Sequence, residues 1–314
     1  MNRTASAPLR IDFCGGSLDI QPIPGEMGPV SIISAAINRR VEGRFCTPTS
    51  HITGTENTIL TYSMPAGVPT SSGLGSSGVM NVVWLALVTG RSDPHWIASR
   101  VYRMEQATDV VGGVQDQYTA SYGGVNEIVM NGNRVWIQPL LSREDPGVKE
   151  LQSRLVLVDS GISRSATNMN RQFIERYKKG ELYSELNALK GLSLETRKAI
   201  GYHNYCPHSE GYKVSQNALK LSGCLNQEWS LRKKLMPSKV EEIDGIIGAV
   251  RGALLYPERL GAKVHGAGGG GCILFYHRSP AATDKVRAAA EKEGCKVIDF
   301  QFDFDGLVVE EETE

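Results

Sequence analysis

Apolar residues change their spacing along this chain, and the changes divide it into strands and helices. The first strand signal covers residues 3–13 and ends in the alternation Leu9-Arg10-Ile11-Asp12-Phe13, after which Gly15-Gly16-Ser17-Leu18-Asp19 turns the chain. Pro22, Pro24, Gly25, Gly28 and Pro29 form a loop, a long strand region runs from Val30 to Cys46, and Thr and Ile enrichment marks another strand at 51–62. An apolar helical run spans Val79 to Val88. Asp93-Pro94 is an N-cap followed by a first-turn proline, so a second helix starts there, reaches Glu105 and frays by Gly112-Gly113. Gly123-Gly124 stops the chain before a strand pair at 125–130 and 134–139, joined by the hairpin signal Asn131-Gly132-Asn133.

The second half has a different rhythm. Residues 153–159 read as a buried strand, and 165–255 are largely helical, most clearly at 238–254, where Val240, Ile243, Ile246, Ile247, Val250 and Leu254 share a face. Lys263 to Tyr276 reads as strand, glycine turn, strand; a helix near 280–293 and strands near 296–302 and 306–310 follow, with a frayed acidic end at Glu310–Glu314. This mixture predicts an α+β protein of two lobes, 1–150 and 151–314, divided near the polar turn Arg143-Glu144-Asp145-Pro146-Gly147.

Charge narrows the function classes. Lys+Arg and Asp+Glu are equal at 34 each, without a basic stripe for nucleic acid or a polybasic tract for an anionic membrane. The six cysteines are scattered without a Cys-x-x-Cys pair, the pattern of reduced thiols, and residues 1–14 lack the apolar core of a signal peptide. The run at 79–88 is too short to span a bilayer. These features lead us to expect a cytoplasmic protein, a monomer or homodimer, whose partner is a small molecule.

The chemistry concentrates in Pro69-Thr70-Ser71-Ser72-Gly73-Leu74-Gly75-Ser76-Ser77-Gly78, directly before the apolar helix. Glycines let backbone N–H groups converge on an anion, a helix N-terminus adds unpaired donors, and serine hydroxyls bond phosphate or ligate Mg²⁺. No Gly-Lys-Ser/Thr occurs, so this is not a Walker A loop; a Ser/Gly turn capping a buried helix is the other reading. Arg10 and Asp19, at the two ends of the first turn, either point into a cleft or pair at the surface. Arg39, Arg40 and Arg44 read as an exposed strand face rather than an acid-binding site. His203, Cys206 and His208 lack a fourth metal ligand, and Arg164 and Arg171, one helical face apart, are candidates for an anionic group.

Three stretches in order (Ala7-Pro8-Leu9-Arg10 through Asp19, Pro69 to Gly78, and His265 to Gly271) resemble the GHMP kinases, and the resemblance covers nearly the whole chain. Gly113-Val114-Gln115-Asp116-Gln117-Tyr118, Tyr122-Gly123-Gly124, Gly161-Ile162-Ser163-Arg164-Ser165, Trp229 with Lys233-Lys234, and Gly266-Ala267-Gly268-Gly269-Gly270-Gly271 are similar to the sugar-kinase branch that holds heptose phosphate kinases and the kinase part of fucokinase. The chain departs from that pattern with Ser17-Leu18 in place of Gly-Thr and Gly78 in place of Ala. The resemblance implies a GHMP kinase fold, with an N-terminal lobe like ribosomal S5 domain 2 and a ferredoxin-like C-terminal lobe with extra helices. It implies an ATP- and Mg²⁺-dependent kinase of a sugar or sugar phosphate, acting at the anomeric hydroxyl. Ser71, Ser72, Gly73, Leu74, Gly75, Ser76 and Ser77 would hold the ATP phosphates; Ser77 and Glu105 would ligate Mg²⁺; Asp116 would take the hydroxyl proton, with Arg10 beside it. Gly15, Gly16, Ser17, Asp19, Gly268, Gly269 and Arg164 would contact substrate. A kinase of an isoprenoid or amino acid, and a catalytically silent sugar sensor, are the alternatives; lysine where Arg10 stands would mark the mevalonate type, and a sensor need not keep Ser77, Glu105, Asp116 and Arg10 together.

Overall fold

The computed structural model describes residues 2–46, 59–69, 72–162, 166–201, 211–236, 240–266 and 270–312. The first half builds β1 (Asn2–Cys14), a short α1 (Ile23–Glu26), β2 (Val30–Cys46), β3 (Ile59–Ser63), α2 (Ser76–Thr89), α3 (Pro94–Ala107), α4 (Gln115–Tyr122), β4 (Val125–Asn131) and β5 (Arg134–Leu141). The second half builds α5 (Pro146–Gln152), β6 (Leu155–Asp159), α6 (Ala166–Lys178), α7 (Tyr183–Gly201), α8 (Gly211–Leu235), α9 (Val240–Gly252), β7 (Leu260–Val264), β8 (Cys272–His277), α10 (Thr283–Lys292), β9 (Lys296–Ile298) and β10 (Val308–Glu312). Two antiparallel sheets result: β10-β1-β2-β4-β5, with β3 also on β2, and β7-β8-β6-β9. The protein is α+β, as the alternation of patterns predicts.

Local chemistry explains most boundaries. The Asp93 carboxylate accepts the Trp96 N–H at 2.5 Å and starts α3, and left-handed Gly90 ends α2. Asn131 pairs with Arg134 across Gly132-Asn133, so the hairpin closes where expected. Residues 47–58, which include most of the strand expected at 51–62, lie outside the described residues.

The polar positions in the second half of β1 do not face solvent. From Ala7 to Cys14 every residue is buried, because α2 and α4 pack on the strand along with α7 and α8. Arg10 and Asp12 are therefore interior charges. One core runs from β1 and α2 (Leu9, Ile11, Val79, Val83) to Leu157 and Tyr276 of the second sheet, while Ile243, Ile247 and Val250 of α9 cover Val156, Val158 and Phe275.

The chain's last segment returns to the first sheet. Phe302 bridges Ile37, and β10 pairs with β1 in a register that sets Asn2 opposite Glu312. Arg40 is half-buried rather than exposed: it pairs with Asp303 and donates to Ser6 O and Gly306 O, while Arg39 donates to Asp299 O. These cations fasten the returning segment. No described helix is long and apolar enough to cross a membrane, and Cys14, Cys46, Cys224, Cys272 and Cys295 are free thiols.

Candidate active site

The glycine loop sits at the N-terminus of α2, between the two sheets. Gly73 and Gly75 take φ of 77° and 84°, the left-handed region that glycine enters without strain. Gly75 is the N-cap and brings no capping side chain, so no side chain of the cap satisfies the first N–H groups of α2. The Ser76 hydroxyl is buried without a partner, and Ser77 is exposed. Buried Leu74 anchors the loop, and its carbonyl accepts the Arg10 N–H at 3.1 Å. A Cβ on Gly73 would lie 2.6 Å from the His265 carbonyl oxygen, so the strand leading into the third glycine stretch touches the loop backbone directly. Cys272 N–H also donates to Ser72 O at 2.8 Å.

Asp19 ends the turn after β1 and is fully buried. Its Oδ2 accepts the N–H groups of Val114 at 2.8 Å and Gln115 at 3.0 Å, capping α4 across nearly a hundred residues of sequence. Its Oδ1 is buried without a partner. Burial pushes this carboxyl up to about 6, and Asp116 adds to the rise, while the two backbone donors hold it down.

That cap places Asp116 in the first turn of α4, against the glycine loop: a Cβ on Gly75 would lie 2.9 Å from Asp116 Oδ1, and one on Gly78 would lie 2.8 Å from its Cβ. The guanidinium of Arg10 grips Asp116 Oδ1 through Nε at 2.8 Å and Nη2 at 2.6 Å. Its Nη1 reaches Gly73 O at 2.8 Å and Asp12 Oδ1 at 3.2 Å. Burial opposes the charge of Arg10, yet Asp116 and Asp12 outweigh it and raise the group above its ordinary value. One arginine thus joins the loop carbonyl to the carboxylate of α4.

Glu105, near the end of α3, is buried, and its oxygens accept amide hydrogens from Asn81 at 2.8 Å and Gln117 at 2.5 Å. Burial raises its carboxyl above the usual range, against the pull of Asn81. Asn81 lies one turn beyond Ser77 on α2, so Ser77 and Glu105 belong to one side of that helix. Each carboxylate oxygen retains a lone pair. A hydroxyl plus one carboxylate suits Mg²⁺, which keeps several waters, and among the described residues no cluster of three His, Cys, Asp or Glu offers a protein cage.

Arg10, Asp19, Ser72 to Ser77, Glu105 and Asp116 are thus gathered around one site, whereas Gly15 packs on the backbone of Ser31 and the Ser193 hydroxyl, and Gly16 and Ser17 meet buried Arg232. Ser71, Arg164, Gly268, Gly269 and the cluster His203, Cys206 and His208 lie outside the described residues. Arg171 is exposed, with Nη2 3.5 Å from Asp109 O on the loop before α4. Sequence reading missed a set of interior charges beneath the site. Asp12 pairs with Lys263 and with His265 Nδ1, the latter at 3.0 Å; Lys263 lies 3.5 Å from Glu228 Oε1; and Glu228 holds Arg232 at 2.6 Å. Nothing local marks these residues, since a charge on a strand or helix reads as a solvated face.

Fold and site together set a glycine-rich loop at a helix N-terminus beside the Arg10–Asp116 pair. Over 297 residues the chain is 30% identical to the D-glycero-alpha-D-manno-heptose 7-phosphate kinase of Campylobacter jejuni, covering 90% of this chain and 77% of that one. A D-glycero-D-manno-heptose 1-phosphate kinase structure from Bacteroides thetaiotaomicron superposes with a TM-score of 0.72 at 22% identity, over 99% of this chain and all of the other. Lactococcus lactis galactokinase, solved with galactose, gives 0.64 at 16% identity over 98% of this chain and 95% of that one. No family model matches the chain. The two structures share the fold, and the curated relative shows the family: the chain belongs to the GHMP kinases, in their sugar-kinase branch.

Proposed function

We propose that this kinase transfers the γ-phosphoryl group of ATP, with Mg²⁺, to the anomeric hydroxyl of a sugar phosphate of the heptose class. Bound ATP and Mg²⁺ supply the phosphoryl group and neutralise its charge. The N–H groups from Gly73 to Ser77 hold the phosphates, so residues before 150 carry most of the nucleotide site. Ser77 and Glu105 hold the metal. The unpartnered Oδ1 of Asp19 accepts a hydrogen bond from a sugar hydroxyl. The anomeric oxygen attacks phosphorus, the bond to ADP breaks, and the proton passes to the Asp116 carboxylate. Arg10 fixes that carboxylate and stabilises the charge that builds on the transferring group.

The observation that carries this reading is the bridge from Gly73 O through Arg10 to Asp116, which sets a carboxylate against a phosphate-type loop. An anomeric hydroxyl is the most acidic of a sugar's hydroxyls, so a carboxylate placed beside it suffices to assist it. The test screens purified protein with ATP and Mg²⁺ against hexoses, heptoses and their phosphates. ADP release with a heptose phosphate, and ³¹P coupling to the anomeric proton of the product, are expected. Coupling of the newly added phosphate to any other proton refutes the anomeric assignment, and release only with an isoprenoid or amino-acid alcohol refutes the sugar.

A further inference from the structure

Four charged side chains and a histidine, with no part in the proposed chemistry, form a buried chain under the turn that carries Asp19. Lys263, on β7, lies between Asp12 of β1 and Glu228 of α8. Glu228 grips Arg232 through Nη2 at 2.6 Å and Nε at 3.2 Å. Arg232 then reaches out of the second half of the chain into the turn: Nη1 donates to Ser17 Oγ at 2.8 Å and Nη2 to Gly16 O at 2.9 Å. His265, the fifth, rests on Asp12, and burial holds its imidazole below the usual value. Arg232 is only 1% exposed, so every one of these contacts is made away from water.

The turn they hold is strained. Ser17 stands at φ 75°, a left-handed conformation that a non-glycine residue rarely adopts. Such a residue persists only where its surroundings over-determine it, and the two bonds from Arg232 straddle it, one to its own hydroxyl and one to the preceding carbonyl. The residues that follow convert this geometry into a site: Leu18 N–H closes the turn on Gly15 O at 3.1 Å, and Asp19 lands with one oxygen on the α4 amides and the other unpartnered.

We infer that Arg232, seated on Glu228, is a positioning residue for the sugar: it holds the Ser17 turn in its strained form and so aims the free oxygen of Asp19 at the acceptor. The inference rests on the proposed sugar-kinase reading for its kinetic consequence, but its structural content does not depend on the substrate. Removing the guanidinium lets Ser17 relax toward negative φ. Asp19 then swings off the α4 amides, while the glycine loop, held by Leu74 and by the 265–266 backbone, stays in place.

The test uses the full chain with Arg232→Met, Arg232→Lys and Ser17→Ala. Amide hydrogen exchange at Leu18, Val114 and Gln115 reads the turn without any substrate. Arg232→Met and Ser17→Ala should exchange faster there, with unchanged rates in β6 and β8, and Arg232→Lys should restore part of the protection. With a heptose phosphate, KM for the sugar should rise about tenfold in Arg232→Met, while KM for ATP stays within about twofold. Ser17→Ala, which removes one bond and leaves the buried charges intact, should move in the same direction, and it decides the matter if Arg232→Met does not fold. Unchanged exchange at 18, 114 and 115 overturns the inference, as does a loss of kcat with both KM values unmoved. A wild-type chain that phosphorylates no sugar refutes the kinase reading instead, and exchange alone then judges the turn.

Discussion

Replacing Asp19 with asparagine should make the protein more stable and a worse kinase, and the pH dependence of that trade is set by burial. The carboxyl is raised from its ordinary 3.8 to about 6. At about 1.36 kcal/mol per pH unit, its charge costs the folded state on the order of 3 kcal/mol relative to the unfolded chain. Because the folded value is the higher one, the native state binds the proton more tightly. The associated stability is present below about pH 4 and is lost as pH rises through about 6. Asparagine carries no charge to desolvate, and its amide oxygen still accepts from Val114 and Gln115. Asp19→Asn should therefore exceed wild type by up to about 3 kcal/mol near pH 8, less what the weaker neutral cap gives up, and the gap should close near pH 4. Urea unfolding across that range measures it. Wild type should also lose affinity for the acceptor below about pH 6, where the carboxylate is neutralised, and the variant should bind weakly and without that inflection. A stability difference that does not change with pH, or a variant less stable than wild type near pH 8, refutes the reasoning.

Three further outcomes are expected. Gly75→Val puts a branched side chain at φ 84° and against Asp116, so ATP affinity by calorimetry should fall at least tenfold, at about 1.4 kcal/mol per decade, while far-UV circular dichroism is retained. Ser77→Ala and Glu105→Gln should each raise the Mg²⁺ concentration for half-maximal rate; if both titrations match wild type, these are not the metal's ligands. Asp116→Asn should keep ATP and sugar binding and lower kcat by about 10²-fold or more, the range of a general base, and an unchanged kcat removes Asp116 from proton transfer.

Much of this architecture is legible in the order of the residues, for identifiable reasons. Glycine clusters are visible because close backbone approach has no other residue to turn to, and the Gly73–His265 contact is that approach. Asp93 and Gly90 announce helix ends because caps are local. α4 escaped notice: Gln-Asp-Gln-Tyr-Thr-Ala-Ser-Tyr has no apolar stripe, and its N-terminal partner is Asp19, far back in the chain. The same is true of Asp12, Lys263, Glu228 and Arg232. Their charges are tolerated inside because each meets its opposite, and that pairing exists only after β1, β7 and α8 have come together.

The return of β10 to β1 bears on how such a molecule is made. With Asn2 facing Glu312, β1 waits for the much later β10 before its outer edge is covered. A ribosome releases β1 long before β10, so the rim of the first sheet stays unpaired until β10 has emerged. The same adjacency sets the start of β1 beside the end of β10. A short Gly/Ser bridge from Glu312 to Asn2, with new ends cut in an exposed loop, should yield a permuted protein that makes this rim early and keeps its activity.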